Sequence, residues 1–245
     1  MISTIYHTFF YDPIYNGLIF LVSIVPGADV GIAVILLTII VRLLLFPLSL
    51  KAIRTQIMMR ELEPELTKLK EQYKGDREAQ ARKTMEMYRE RKINPFSSFL
   101  FMFVQFLFII ALYFVFYHGN LPNIRSELLY SFIDPPLIVS TMFLGLFDVM
   151  KRNIALAALA GIFQFLQTRL SLPPTKVPSG KPSFKDDLMK SMNVQMRYGL
   201  PVIVFFASYF TSGVIALYFL VSSIVSIGQE LYVRRTLKRS SPSTR

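Results

Sequence analysis

Few side chains in this sequence could do chemistry away from water, and the foremost is a cation. Arg42 stands inside the apolar run Gly31–Leu50, about 13 Å of helix from the polar end at Lys51 at 1.5 Å per residue. A guanidinium at such a place costs a few kcal/mol unless water, a partner or protein surrounds it. No Asp, Glu or His lies inside another long apolar run to pair with it. Thr38 sits one turn away on the same helix face, and Gln105, Gln164, Gln167 and Ser222 are uncharged polar residues inside other apolar runs. This set can hold water and attract an acidic or polar guest. It cannot make or break bonds, because the runs carry no nucleophile with its base, no paired carboxylates and no metal-ligand cluster. No cofactor or metal is expected. Arg42 has a blander reading, in which its stem lies along the helix and its head snorkels to the headgroups.

These residues must be positioned by helices that cross a bilayer. Of 245 residues 53% are hydrophobic, and the mean hydropathy is +0.44, enough for several segments of the roughly 20 residues a crossing needs. Zero cysteines exclude disulfides and thiolate metal sites. The net charge of +11 is carried by residues that flank apolar runs, which fits membrane orientation better than a nucleic-acid domain.

The expected class is an all-α polytopic membrane protein with five transmembrane helices around a hydrophilic groove open to the cytosol. Residues 1–28 form an outer segment with a helix lying in the interface, since Asp12-Pro13 and Asn16-Gly17 interrupt its apolar stretch. Span 1 covers 29–50. Residues 51–96 are charged throughout, with Ile57, Leu62, Leu66, Leu69 and Tyr73, then Ala81, Met85 and Tyr88, at near-helical spacing on either side of Gly75-Asp76, which predicts an antiparallel helical hairpin in water. Asn94-Pro95 opens span 2 at 97–118. Within the outer loop 119–152, Leu137–Phe147 is too short for a crossing and reads as a re-entrant or interfacial piece. Span 3 covers 153–171 and a cytosolic loop 172–191. Spans 4 (192–211) and 5 (213–231) follow, joined at Thr211-Ser212-Gly213, and a basic tail occupies 232–245.

Short cytosolic loops should hold the Lys and Arg excess. The hairpin holds 12 such residues, the stretch 171–197 holds 5 and the tail 5, against three on the outer segments, Arg125, Lys151 and Arg152. The N-terminus is therefore expected outside and the C-terminus in the cytosol of a cell with this protein in its plasma membrane. Measured from the cytosolic ends of their spans, Gln105, Gln164 and Ser222 lie about 12, 10 and 12 Å deep, close to Arg42. Polar groups at one depth on several helices describe a pocket wet from the cytosolic side. The alternative is interhelical hydrogen bonding that merely holds the bundle together, at under about 1 kcal/mol each.

Several segments together carry a resemblance. Arg42 with Phe46-Pro47-Leu48, the charged hairpin, Lys92-Ile93-Asn94-Pro95 followed by Gln105, Pro201-Val202-Ile203, Ser212-Gly213, Leu217-Tyr218 and Val221-Ser222 resemble the YidC family of membrane protein insertases, with its mitochondrial Oxa and chloroplast Albino relatives. The likeness runs from Tyr11 to Arg235. It implies that Arg42 is a groove arginine with Thr38 as its neighbour, and that Tyr218-Phe219 is an aromatic pair that contacts a passing substrate helix. Leu107 stands where the family often has a proline, and Thr211-Ser212-Gly213 where it has Pro-Ser-Gly. The implied partners are nascent membrane proteins and the lipid bilayer, with the Sec translocon and the ribosome as further candidates; the tail Arg234-Arg235 to Lys238-Arg239 suits ribosomal RNA phosphates and anionic lipid equally. A small-solute transporter would also need an intramembrane pocket but usually shows repeated halves, which are not visible here. A scaffold with no groove would find Arg42 dispensable.

Overall fold

The computed structural model describes residues 6–118, 121–171 and 194–240. They divide into two compact units, one of Met1–Leu44 with Phe108–Leu231 and one of Leu45–Leu107 with Tyr232–Arg245. The protein is mostly helical. Three helical stretches, Phe96–Tyr117, Ile154–Ser171 and Gly213–Leu237, are long and apolar enough to cross a membrane, and a fourth results if Val30–Leu44 and Phe46–Glu61 form one bent span. This is a membrane protein, and among the described residues three to four helices are of span length and composition.

In the first unit, a π turn at His7–Tyr11 leads into helix α1, Asp12–Ile24. Ile14, Tyr15, Leu18, Ile19 and Val22 recur at helical spacing and are buried, so this segment contributes a face to the core. Helix α2, Val30–Leu44, begins at Asp29, whose Oδ1 accepts the amides of Gly31 (2.7 Å) and Ile32 (3.1 Å). It stops well short of the expected end of span 1 at residue 50. The reason is Pro47, which lacks an amide proton and whose ring collides with the carbonyl four residues back, so a separate helix starts at Phe46.

The stretch Leu137–Phe147, expected as a re-entrant or interfacial piece, is built on strand pairing. Pro135 and Pro136 precede it, and a two-stranded hairpin forms from β1, Met142–Phe143, and β2, Phe147–Asp148, paired antiparallel with Phe143 opposite Phe147. The turn between them uses left-handed backbone at Leu144 (φ 51°) and Gly145 (φ 71°). This loop ties three helices together at one end. The Val30 amide donates to the Ser140 carbonyl (2.9 Å), and Asp29 Oδ2 accepts the Leu144 amide (2.7 Å). Gly213 and Val214, opening the long helix α9 (Gly213–Ser240), donate to the carbonyls of Lys151 (2.9 Å) and Val149 (3.0 Å). Between them α7, Ile154–Ser171, starts at the cap Asn153, whose Oδ1 accepts the Leu156 amide (3.0 Å). Helices α2, α7 and α9 therefore start at a common end. A crossing inside 137–147 would have placed the start of α7 at the opposite end.

Glycine at 213 is required by this junction. An added Cβ would lie 3.0 Å from the Val149 carbonyl oxygen and 3.3 Å from its Cα, both rigid backbone atoms. Gly213→Ala is expected to destabilise the protein by about 1–3 kcal/mol, the usual cost of overpacking, seen as an earlier thermal transition in detergent.

Two further helices complete the unit. Helix α8, Leu200–Phe210, follows a π turn at Gln195–Gly199 and packs along α7. Small residues permit the close approach, since a Cβ on Gly161 would sit 3.2 Å from that of Phe205. The expected first two residues of span 4 and the loop 172–191 lie outside the described residues. From α6, Phe96–His118, the residues Phe108, Ala111, Leu112 and Val115 are buried in the same core as α1, α2 and Val214–Tyr218.

The second unit holds the expected helical hairpin. Helix α3, Phe46–Glu61, is followed by α4, Glu63–Gln72, and α5, Arg77–Glu90, with the reversal at Gly75 (φ 109°) and Asp76, whose side chain caps α5 by accepting the Ala79 amide (2.9 Å). Leu62, Leu66 and Ile93 are buried among Met58, Met59, Met87 and Tyr88. Met85, expected on the packed face, is mostly outside it, because the reversal turns Met87 and Tyr88 inward. Arg91 Nη2 donates to both carboxylate oxygens of Glu65 (3.1 Å to each), tying the two ends of the hairpin together.

Candidate functional site

The break before Pro47 changes the setting of Arg42. It lies in the last turn of α2, where the free carbonyls favour a cation, instead of in the middle of a straight helix. Its side chain is only 7% exposed. Nε donates to the Ser222 hydroxyl on α9 (3.2 Å), and among the described residues Arg42 forms no ion pair. A buried guanidinium has five donors, and one neutral hydroxyl uses one of them.

Tyr218 stands one turn before Ser222 on α9, hydrogen-bonded to it through the side chain and near Arg42. Arg42, Ser222 and Tyr218 are thus brought together. Thr38 is buried one turn before Arg42 on α2, with its hydroxyl donated back to the Val34 carbonyl (2.7 Å), so it supplies shape at the site more than free hydrogen bonds.

The aromatic pair divides. Tyr218 is 1% exposed, its ring against Phe108 at 5.5 Å between centroids. Phe219 instead faces open space. With Ile109, Ile110, Tyr113 and Phe114 of α6, Ala207 on α8, Thr211 just after it and Ile215 of α9, it lines a groove of about 330 Å³ whose walls are apolar. Consecutive residues on a helix point about 100° apart, so one face of α9 serves the cation and the next face serves the groove.

The same division separates Ser222 from Ser223. The Ser223 hydroxyl donates to Gln164 Oε1 on α7 (3.2 Å), and Gln164 Nε2 donates to Thr168 Oγ1 (3.3 Å). One heptad further along both helices, Ser171 hydrogen-bonds the buried carboxylate of Glu230. Both bridges span 59 residues, so α7 and α9 run parallel with one register. Gln164 therefore belongs to a seam between α7 and α9, and its hydrogen bonds among the described residues go to Ser223 and Thr168, while Gln167 is half-buried on α7. Ser223, Thr168, Ser171 and Glu230 were not anticipated as partners. Their signal was present as polar positions seven apart on two apolar runs. Gln105 lies on the part of α6 that belongs to the second unit, and its place in a groove rests on the depth argument alone.

The arrangement can attract and hold a polar or acidic guest at Arg42 and an apolar helix at Phe219. Among the described residues no group of acidic, histidine or cysteine side chains could hold a metal ion.

Comparison with known proteins gives a consistent picture. The model of a family described as 60Kd inner membrane protein matches residues 20–240. A protein of Clostridium tetani (strain Massachusetts / E88) named membrane protein insertase YidC is 29% identical over 216 residues, which cover 88% of this chain and 86% of the relative. A protein of the same name from Francisella tularensis subsp. novicida (strain U112) is 33% identical over 206 residues, 84% of this chain but 32% of the relative, so this chain spans about a third of that longer protein.

Proposed function

The chain belongs to the 60Kd inner membrane protein family, and from that premise we propose that it is a membrane protein insertase whose working part is a groove built around Arg42. The observation that carries this reading is the buried Arg42, held by a neutral serine and by no carboxylate among the described residues. A structural ion pair would have filled the site with an anion of its own. A cation left with spare donors suits a guest that comes and goes.

In this reading five spans surround a groove open to the cytosol, with the N-terminus outside the plasma membrane and the C-terminus inside. A hydrophilic outer segment of a nascent membrane protein has to cross hydrocarbon, where each unsatisfied backbone group costs several kcal/mol. Arg42, with Thr38 and Ser222 beside it and Gln164 and Gln167 of α7 at a similar depth, offers it a polar waypoint, and Tyr218 holds Ser222 in place. The apolar helix of the substrate lies along Phe219 and the groove between α6 and α9. Its release into lipid is driven by burial of apolar surface, at about 25 cal/mol per Å². The charged hairpin receives the substrate, and the basic tail meets ribosomal RNA or anionic lipid, with the Sec translocon as a further partner.

The path is tested with photo-crosslinking residues at Phe219 and Ile110 and a stalled single-span substrate. Both positions should crosslink to the substrate's apolar segment, while a probe at the core position Val115 should not. Crosslinks to lipid alone from Phe219 and Ile110 would remove the groove from the pathway.

A further inference from the structure

The hairpin β1–β2 packs one face and leaves the other apolar. Phe143 and Phe147 lean on the core, with the Phe143 ring lying where a Cβ on Gly31 would be, 2.4 Å away. The opposite face and the turn carry Met142, Leu144 and Leu146, and the segment leading in carries Leu137 and Ile138. These are exposed, Leu137 completely and Leu146 at 73%. A sheet with one face in water alternates apolar and polar residues. Here the outward face carries Met142, Leu144 and Leu146, and its one acid, Asp148 opposite Met142, lies at the end beside Lys151, so the apolar part of that face meets something other than water.

Its position names the occupant. The hairpin is hydrogen-bonded to the first residues of α2 and α9 and sits beside the start of α7, and α7 and α9 are both of span length and composition. It therefore lies at the level where hydrocarbon gives way to headgroups. Two cations follow it directly. Lys151 is 81% exposed and 3.7 Å from Asp148, and the Arg152 guanidinium lies over the Phe210 ring at 5.9 Å. Basic side chains at the rim of an apolar face complement lipid phosphates, and an arginine stacked on an aromatic ring at that level is an interfacial arrangement.

We propose that the Leu137–Leu146 segment is a lipid wedge: its outward side chains dip into the leaflet at which α2, α7 and α9 begin, with Lys151 and Arg152 at the phosphates. The wedge sets the depth of the three helices and hence of Arg42. It is separate from the groove, so it stands or falls apart from the insertase reading.

The chain contains no tryptophan, so a single introduced one reports only its own surroundings. Leu144→Trp and Leu146→Trp, each in the full chain reconstituted into vesicles of phosphatidylethanolamine and phosphatidylglycerol, are compared with Lys74→Trp in the charged hairpin. The two wedge variants should emit to the blue of the Lys74→Trp variant, lose intensity in vesicles made with brominated acyl chains, and resist aqueous acrylamide. Emission and quenching like those of the Lys74→Trp variant at both wedge positions would overturn the proposal. So would blue emission with no loss in brominated lipid, which would put protein, such as a second copy, over this face.

Discussion

Replacing Arg42 with Ala is expected to lower the insertion of a short single-span substrate into vesicles by about ten- to a hundredfold. A hydrogen bond to a charged group is worth about 1.5–3 kcal/mol, and 1.4 kcal/mol is a factor of ten. Arg42→Lys keeps the charge but loses the fork of donors, so it should retain an intermediate rate. The same position makes an opposite prediction for stability. A poorly paired cation at membrane depth costs about 2.5–3.5 kcal/mol, and an apolar residue removes that cost. Arg42→Leu should therefore melt no lower than the unaltered protein in detergent while failing to insert substrate. Equal insertion by the Ala, Lys and Leu variants would favour a scaffold in which the cation has no task, and a sharply lowered melting temperature for Arg42→Leu would make Arg42 a structural residue.

Asp29→Ala should be among the most damaging single changes to folding. The Asp29 carboxylate is buried and accepts three amides, those of Gly31, Ile32 and Leu144, so it starts α2 and holds the hairpin turn with the same group. Losing an N-cap costs about 0.5–2 kcal/mol, and leaving the Leu144 amide without its charged acceptor adds about 1.5–3 kcal/mol. A combined loss of about 2–5 kcal/mol should appear as a large drop in the thermal transition in detergent. Asp29→Asn keeps one acceptor oxygen and should recover part of it. If Asp29→Ala melts with the unaltered protein, the clamp between α2 and the hairpin contributes nothing to stability.

Much of this architecture was readable beforehand because apolar length and charge are strong local signals. The crossings near Phe96–His118, Ile154–Ser171 and Gly213–Leu237, and the reversal at Gly75-Asp76, follow directly from them. Pro47 was equally visible, but its effect was masked by the apolar residues on both sides, which disguise a break as one long span. Leu137–Phe147 was recognised as too short to cross, yet its strand pairing depends on a turn at Leu144-Gly145 and on contacts with Asp29 over 100 residues away. At the site, the meeting of Arg42 with Ser222 was approached through equal depth. Depth says nothing about azimuth, however. It therefore grouped Gln164 with Arg42, although Gln164 faces Ser223, and it could not show that Tyr218 points inward while Phe219 points to the groove.

The shared starting point of α2, α7 and α9 has a mechanical consequence. Two of the three are also stitched further down by the Ser223–Gln164 and Ser171–Glu230 bridges, whereas the side-chain hydrogen bond from α2 to α9 among the described residues is that of Arg42 with Ser222, near the far end of α2. The assembly resembles a clothes peg whose spring is the hairpin and whose jaws are α2 and the α7–α9 pair. Arg42 lies 12 residues beyond Val30, about 18 Å down the lever at 1.5 Å per residue, where a small rotation at the spring yields the widest gape. In the proposed reading, a guest that takes the guanidinium away from Ser222 would undo the hydrogen bond at the free end of that lever.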